Sequence, residues 1–229
     1  NLLDREGMAH FYAAYNIYSL LLVLSTAGLP LALSRLVSRA AAQGRRNAQR
    51  RIFRTALALL AAIGLVCSAL MCLFPQTLSA LLHDSLAAPA IRTLGPAVLF
   101  VCLTSAIRGY TQGLGDMTPT AVSQMTESAG KLVIGLALCL VLLHRGADSS
   151  LCAAGAIAGV TAGSLLSLTV LTVFLLRRRD RASVDVPPAR SAVLRELLTA
   201  GIPITLGAAG MSLITLLDQA LVMSTLQNT

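Results

Sequence analysis

The chain has 229 residues, of which 55% are hydrophobic and 12% charged, with a formal net charge of +8 and a mean hydropathy of +0.75. A soluble domain carries about 25% charged residues, so the deficit excludes an ordinary water-soluble domain and points to lipid as the solvent. The positive charge does not point to nucleic acid. Twelve of the 18 basic residues form two clusters, Arg39, Arg45, Arg46, Arg50, Arg51 and Arg54, then Arg177, Arg178, Arg179, Arg181, Arg190 and Arg195, where retention on the cytoplasmic side of a membrane explains them.

Roughly 20 apolar residues cross the hydrocarbon as a helix, and six such segments follow one another. The first runs from about Phe11 to Ala42, with Gly28-Leu-Pro30 in its middle. Proline removes a backbone donor and predicts a kink there. The second runs from Arg51 to about Leu82, with Pro75 near its outer end, and the third from about Ala88 to Gly113. The fourth starts at Thr118-Pro119, with Thr118 or Asp116 as N-cap and proline at the first helical position, and ends near His144. The fifth spans about Ser150 to Leu176. Its Gly155, Gly159 and Gly163, four apart and beside Ala154, Ala158 and Ala162, form a smooth face. Such a face lets helices pack backbone to backbone, within this chain by preference, or across a dimer. The sixth begins near Leu194, contains Gly201-Ile-Pro203 and ends near Leu226.

The arginine-rich loops, 43–51 and 177–193, are separated by an even number of spans, so both fall on one side, the cytoplasm. The connection at 108–118 joins them, and 1–10, 83–87 and 144–149 lie outside. Cys67, Cys72, Cys102, Cys139 and Cys152 sit in or beside apolar stretches with no CxxC and no nearby histidine, and read as small buried hydrophobes. His10, His83 and His144 lie in connections. There is no G-x-S-x-G, H-E-x-x-H or P-loop. No enzyme, metal or cofactor is expected. Asn1 and the apolar run ending at Thr229 read as the ends of an internal piece of a longer protein.

Ionisable groups inside a span are costly and usually face a cavity or a partner. Arg35, in the cytoplasmic half of the first segment, either lines a polar cavity or snorkels to the headgroups. Glu127 and Lys131, four apart on one face of the fourth segment, pair with each other, and with Gln124 and Ser128 they suggest a cavity-facing polar stripe. Asp218, deep in the sixth segment, needs a partner on another helix or access to water. Arg108, in Arg108-Gly-Tyr-Thr-Gln-Gly113, reads by chemistry alone as a further positive-inside residue, while Gly109 and Gly113 permit a close helix crossing.

The run from Tyr15 to Pro30 with Ser34-Arg-Leu-Val37, the stretch Arg108-Gly-Tyr-Thr-Gln-Gly-Leu-Gly-Asp-Met-Thr-Pro-Thr-Ala121, Gln124 and Glu127 with a basic residue at 131, and Thr199-Ala-Gly-Ile-Pro-Ile204 with Asp218 resemble the stage V sporulation protein B-like polysaccharide-biosynthesis transporters. These belong to the multidrug/oligosaccharidyl-lipid/polysaccharide exporter superfamily, with lipid II flippases as relatives. Arginine is more usual at 131, so Lys131 is a mild departure. The resemblance implies an all-α polytopic transmembrane bundle, one lobe of a two-lobed transporter of 12–14 helices. Residues 1–193 would be helices two to six of the first lobe, and 194–229 the truncated first helix of the second. It implies flipping of a polyprenyl-diphosphate-linked saccharide across the bacterial cytoplasmic membrane, with membrane lipids and a coupling cation as further partners.

On that map Arg35 is the candidate diphosphate contact, and Arg108, Gln124 and Lys131 border the substrate path. Glu127 and Asp218 are candidates for cation coupling or for orienting a basic neighbour, and Gly28, Pro30, Gly201 and Pro203 are candidate bending points. A cation-coupled drug exporter is the alternative, disfavoured by 4% aromatics and no tryptophan, because organic cations want aromatic walls. A non-transporting scaffold for wall synthesis is the third reading.

Overall fold

The computed structural model describes residues 28–77, 88–144, 149–177 and 185–227. No strand occurs among them. Among the described residues six long helices follow in order, α1 (Leu29–Ala42), α2 (Arg46–Leu73), α3 (Ala88–Gly113), α4 (Thr118–His144), α5 (Ser149–Arg177) and α6 (Arg190–Gln227). Within α2 to α5, four stretches are long and apolar enough to cross a membrane, Arg46–Leu73, Ile91–Gly113, Thr118–His144 and Gly155–Arg177. The protein is an all-α, multi-pass membrane bundle.

Local chemistry sets the ends. Pro30 falls in the first turn of α1, where a missing donor costs little; the part of the first segment before Gly28 lies outside the described residues. α2 begins five residues earlier than the arginine loop suggests, so Arg46, Arg50, Arg51 and Arg54 ride on its first three turns. It stops at Leu73, two residues before Pro75, because a residue preceding proline is pushed out of the helical region. Between α3 and α4, Gly115 takes φ 80°, open to glycine at no steric cost, and the Asp116 amide donates to the Thr111 carbonyl (3.0 Å). The Asp116 carboxylate then accepts the Thr118 amide at the start of α4 (3.2 Å). α6 begins at Arg190, directly after Val186-Pro-Pro-Ala189, and runs on through Pro203.

α3 is the central helix and the most buried of the four candidate spans. It packs on α1, α2 and α5 and only lightly on α4, which lies mainly against α5. Ile91, Leu94, Val98 and Cys102 of α3 meet Leu60 and Met71 of α2 and Ile157 and Val160 of α5 in one core cluster. A second cluster joins Leu33 and Val37 of α1, Phe53 of α2, Tyr110 of α3, Leu171 of α5 and Leu197 of α6. The Phe53 and Tyr110 rings lie 4.5 Å apart there. Leu65, Leu132 and Leu176 stay exposed, as suits a lipid-facing surface. Lipid tails are as apolar as leucine, so these helices are held by close packing and hydrogen bonds and not by exclusion of water.

Glycine makes that packing close in two places. A Cβ on Gly109 would sit 2.7 Å from the Pro30 carbonyl oxygen, and one on Gly113 would sit 2.6 Å from that of Ser34, so α3 and α1 cross backbone to backbone. The stripe on α5 lies against α4 of the same chain. A Cβ on Gly163 would stand 2.7 Å from the Glu127 carbonyl, and one on Gly159 would run into Gly135.

The two arginine-rich connections meet at one end of the bundle. The Asp185 carboxylate accepts the backbone amides of Asn47 (2.9 Å) and Ala48 (3.0 Å), in the first turn of α2. The Asn47 side chain donates back to the Asp185 carbonyl (2.9 Å), and Arg45 donates to that of Val186 (3.2 Å). A carboxylate more than 130 residues away in sequence thus caps this helix start, satisfying amides that have no partner within the helix.

Candidate functional site

One buried ionic network joins α3, α4 and α5. Glu127 lies nine residues into α4, about 14 Å along it at 1.5 Å per residue, and Lys131 one turn further. Both depths fall inside a hydrocarbon layer about 30 Å thick. One Glu127 carboxylate oxygen accepts from Lys131 Nζ (2.7 Å) and the other from an Arg108 terminal nitrogen (2.8 Å). The same Arg108 nitrogen donates to the Ser167 hydroxyl of α5 (2.9 Å), and Arg108 Nε donates to the Ser123 hydroxyl of α4 (2.9 Å). Ser123 in turn donates its own proton to the Thr120 carbonyl (2.8 Å), so its oxygen is left to accept.

Backbone proximity explains why these groups meet. The glycine stripe brings α5 against the turn of α4 that carries Glu127, which places Ser167, one turn beyond Gly163, within reach of the Arg108 guanidinium that Glu127 binds. Higher up, the Thr161 hydroxyl donates to the Thr93 carbonyl (2.7 Å) and ties α5 to α3. A lone carboxylate in hydrocarbon is expensive; one carrying two charge-assisted hydrogen bonds is tolerable. The network holds two cations and one anion, and so a surplus of one positive charge. Its Lys131 end is the more open, with the lysine side chain 34% exposed against 15% for Arg108 and 11% for Glu127. Beside it on α4, Gln124 and Ser128 are exposed, continuing a polar arc past the buried carboxylate. Val133 and Leu136 are also exposed on this helix, as an apolar surface.

Arg108 departs from its reading by chemistry alone. It is not a loop cation held at the interface. Its side chain turns inward from the last turns of α3 and is engaged on three sides. The reason lies in packing, because Gly109 and Gly113 give one face of α3 to α1 while residue 108 reaches α4 and α5. Arg35 is exposed on α1, and no bond joins it to the network among the described residues. Gly28 and Gly201 come together, since a Cβ on Gly28 would collide with the Gly201 carbonyl and the Thr205 side chain. Pro30 and Pro203 each stand two residues beyond that contact. The backbone at Asp218 lies within α6, and its side chain falls outside the described residues. No group of three His, Cys, Asp or Glu side chains that could hold a metal occurs among the described residues.

Sequence reasoning missed Ser123, Ser167 and Asp185. A signal existed for the first, because Ser123 and Glu127 stand about as far beyond the Gly113–Thr118 turn as Arg108 stands before it, and antiparallel helices bring such positions level. Ser167 and Asp185 had none, since each acts across a long sequence separation.

The family described as Polysaccharide biosynthesis protein matches residues 1–229. Stage V sporulation protein B of Bacillus subtilis (strain 168) is 29% identical over 172 residues, covering 75% of this chain and 33% of that protein. The uncharacterized membrane protein YabM of the same organism is 26% identical over 185 residues, covering 81% and 34%. Lipid II flippase MurJ, also from Bacillus subtilis, is 26% identical over 196 residues, covering 81% and 36%. The chain thus spans about a third of the length of these curated relatives. No solved structure matches.

Proposed function

Because the chain belongs to the polysaccharide biosynthesis protein family, we propose that it is part of a flippase that carries a polyprenyl-diphosphate-linked saccharide between the leaflets of the bacterial cytoplasmic membrane. The observation that carries this reading is the network of Arg108, Glu127 and Lys131, which holds a surplus positive charge among apolar helices. A diphosphate cannot cross hydrocarbon unaided, and fixed cations beside a water-filled path offset its charge. The polar arc of Gln124, Ser128 and Lys131 borders that path, and Arg35, at the arginine-rich end, is the first cation the diphosphate meets. Glu127 keeps Arg108 and Lys131 in place, and Glu127 and Asp218 are the candidate coupling groups.

In this reading the arginine-rich end faces the cytoplasm. Residues 1–193 form part of one lobe and 194–229 the first helix of a second, and rocking of one lobe against the other alternates access. The test is reconstitution of the intact protein in liposomes with a fluorescent polyprenyl-diphosphate saccharide. The expected result is protein-dependent movement of the probe between leaflets, strongly reduced by Lys131→Ala. Movement of organic cations without movement of the saccharide would identify a drug exporter instead. Movement of neither, by a folded protein, would leave a scaffold.

A further inference from the structure

A second site lies at the arginine-rich end of the bundle, between helices that take no part in the Glu127 network. A cleft of about 490 Å³ opens between the start of α2 and the start of α6, with Arg54, Thr55 and Leu59 on one wall and Arg190, Ser191 and Leu194 on the other. Arg54 and Arg190 are both exposed, and neither has an ion-pair partner among the described residues. The nearest acid on α6, Glu196, faces Arg39 instead (3.8 Å). The Thr55 hydroxyl proton is already given to the Arg51 carbonyl (2.9 Å), so the donors left for a ligand are the two guanidinium groups and Ser191. Two cations without an ion-pair partner among the described residues therefore face one cleft whose apolar lining is Ala58, Leu59 and Leu194.

The cleft is built and not incidental. Asp185 clamps the connection to the first turn of α2 through Asn47 and Ala48. Only four residues lie between it and Arg190, and two of these are Pro187 and Pro188, whose fixed φ stiffens the path. The clamp thus sets how far Arg190 stands from Arg54.

We propose that this cleft binds an anionic phospholipid, with the phosphate between Arg54 and Arg190 and the first methylenes of its chains against Leu59 and Leu194. Charge complementarity selects the anion, and the apolar walls select a lipid over a free ion. The volume falls within the usual range of about 300–1,000 Å³ for a ligand cleft, enough for a headgroup and too small for a polyprenyl saccharide as well. Basic pockets between helices at a membrane surface bind acidic headgroups in this way. The lipid would bridge α2 and α6 and so hold these two helix starts together. The inference rests on the membrane fold alone and not on the transported substrate.

The test uses the intact, delipidated protein and native mass spectrometry with phosphatidylglycerol and phosphatidylcholine of identical chains. The unaltered protein should retain phosphatidylglycerol preferentially. R54A/R190A should lower that preference about thirtyfold, two surface arginines acting together. R54K/R190K should keep most of it, because charge and not fork geometry selects the lipid. Asp185→Ala, which leaves both arginines in place but frees the connection, should lower it to an intermediate value. An unchanged preference in R54A/R190A would overturn the proposal. So would displacement of the lipid by millimolar inorganic phosphate, which would mark a simple anion site, or by polyprenyl diphosphate at equal concentration, which would assign the cleft to the transported substrate. Melting curves in zwitterionic detergent identify any variant that is merely unfolded, and the lysine pair then decides.

Discussion

Glu127 and Asp185 are both carboxylates that tie distant parts of the chain together, and they do so with different partners. Glu127, in the middle of the apolar bundle, is held by two cationic side chains. Asp185, at the end of the bundle, is held by two backbone amides and a side-chain amide that reaches its carbonyl. The difference follows from the solvent. Where water is absent, a charge needs counter-charges, and removing one partner leaves an uncompensated ion. Where water is near, a helix start needs an acceptor, and water can replace it at modest cost. The two sites should therefore respond to the same kind of mutation with different magnitudes.

The largest effect is expected at Glu127. Glu127→Ala strands Arg108 and Lys131 together in a poorly hydrated site, and should destabilise the protein by about 3–5 kcal/mol. Arg108→Ala leaves the neutral pair of Glu127 and Lys131, and should cost clearly less. Thermal unfolding of the two variants in one detergent checks the order, and an Arg108→Ala variant as damaged as Glu127→Ala would refute the account of the surplus charge. Next comes Gly163→Val, which drives a side chain into the Glu127 carbonyl and Lys131 and should cost about 1–3 kcal/mol through overpacking. Gly207→Ala is its control. A Cβ there meets nothing within 4 Å, and alanine is the better helix former by about 1 kcal/mol.

Asp185→Ala should cost about 1 kcal/mol, the usual loss of a helix cap, and Asp185→Asn much less. A loss at Asp185 as large as that at Glu127 would erase the contrast between the two sites. The smallest change in stability, within about 0.5 kcal/mol, is expected for Arg35→Ala on its exposed site. If the intact protein is the flippase proposed above, this variant should nevertheless abolish flipping, while Arg35→Lys keeps part of it. Full transport by Arg35→Ala would make that arginine an interfacial anchor.

The contrast also explains what was legible in the sequence. The ends of α3, α4 and α5 could be read within a residue, because Gly113, Thr118-Pro119 and the polar stretch near 145 punctuate apolar runs of spanning length. Glu127 and Lys131 could be read as a pair because helical spacing alone joins them. Arg108 could not be given its role, since an arginine near a helix end looks the same whether it points at headgroups or inward. What decides is the crossing of α3 with α1 at Gly109 and Gly113, a tertiary fact. The start of α2 falls five residues before the expected Arg51 for a related reason. A run of arginines resembles a solvated loop, yet arginine is a good helix former, and Asp185 supplies the cap that lets the helix begin at Arg46.

In the proposed transporter, the meeting of Gly28 with Gly201 would have a mechanical meaning. α6 runs about 39 Å from Gly201 to Gln227 at 1.5 Å per residue, all of it on one side of a contact where both helices present bare backbone and each has a proline two residues on. A fulcrum so placed would give α6 a long arm. A tilt of about 10° at the glycine pair would displace the far end by roughly 7 Å over an arm of that length, while the short arm back to Arg190 would move by only about 3 Å. Gating at one face of the membrane would then barely disturb the other.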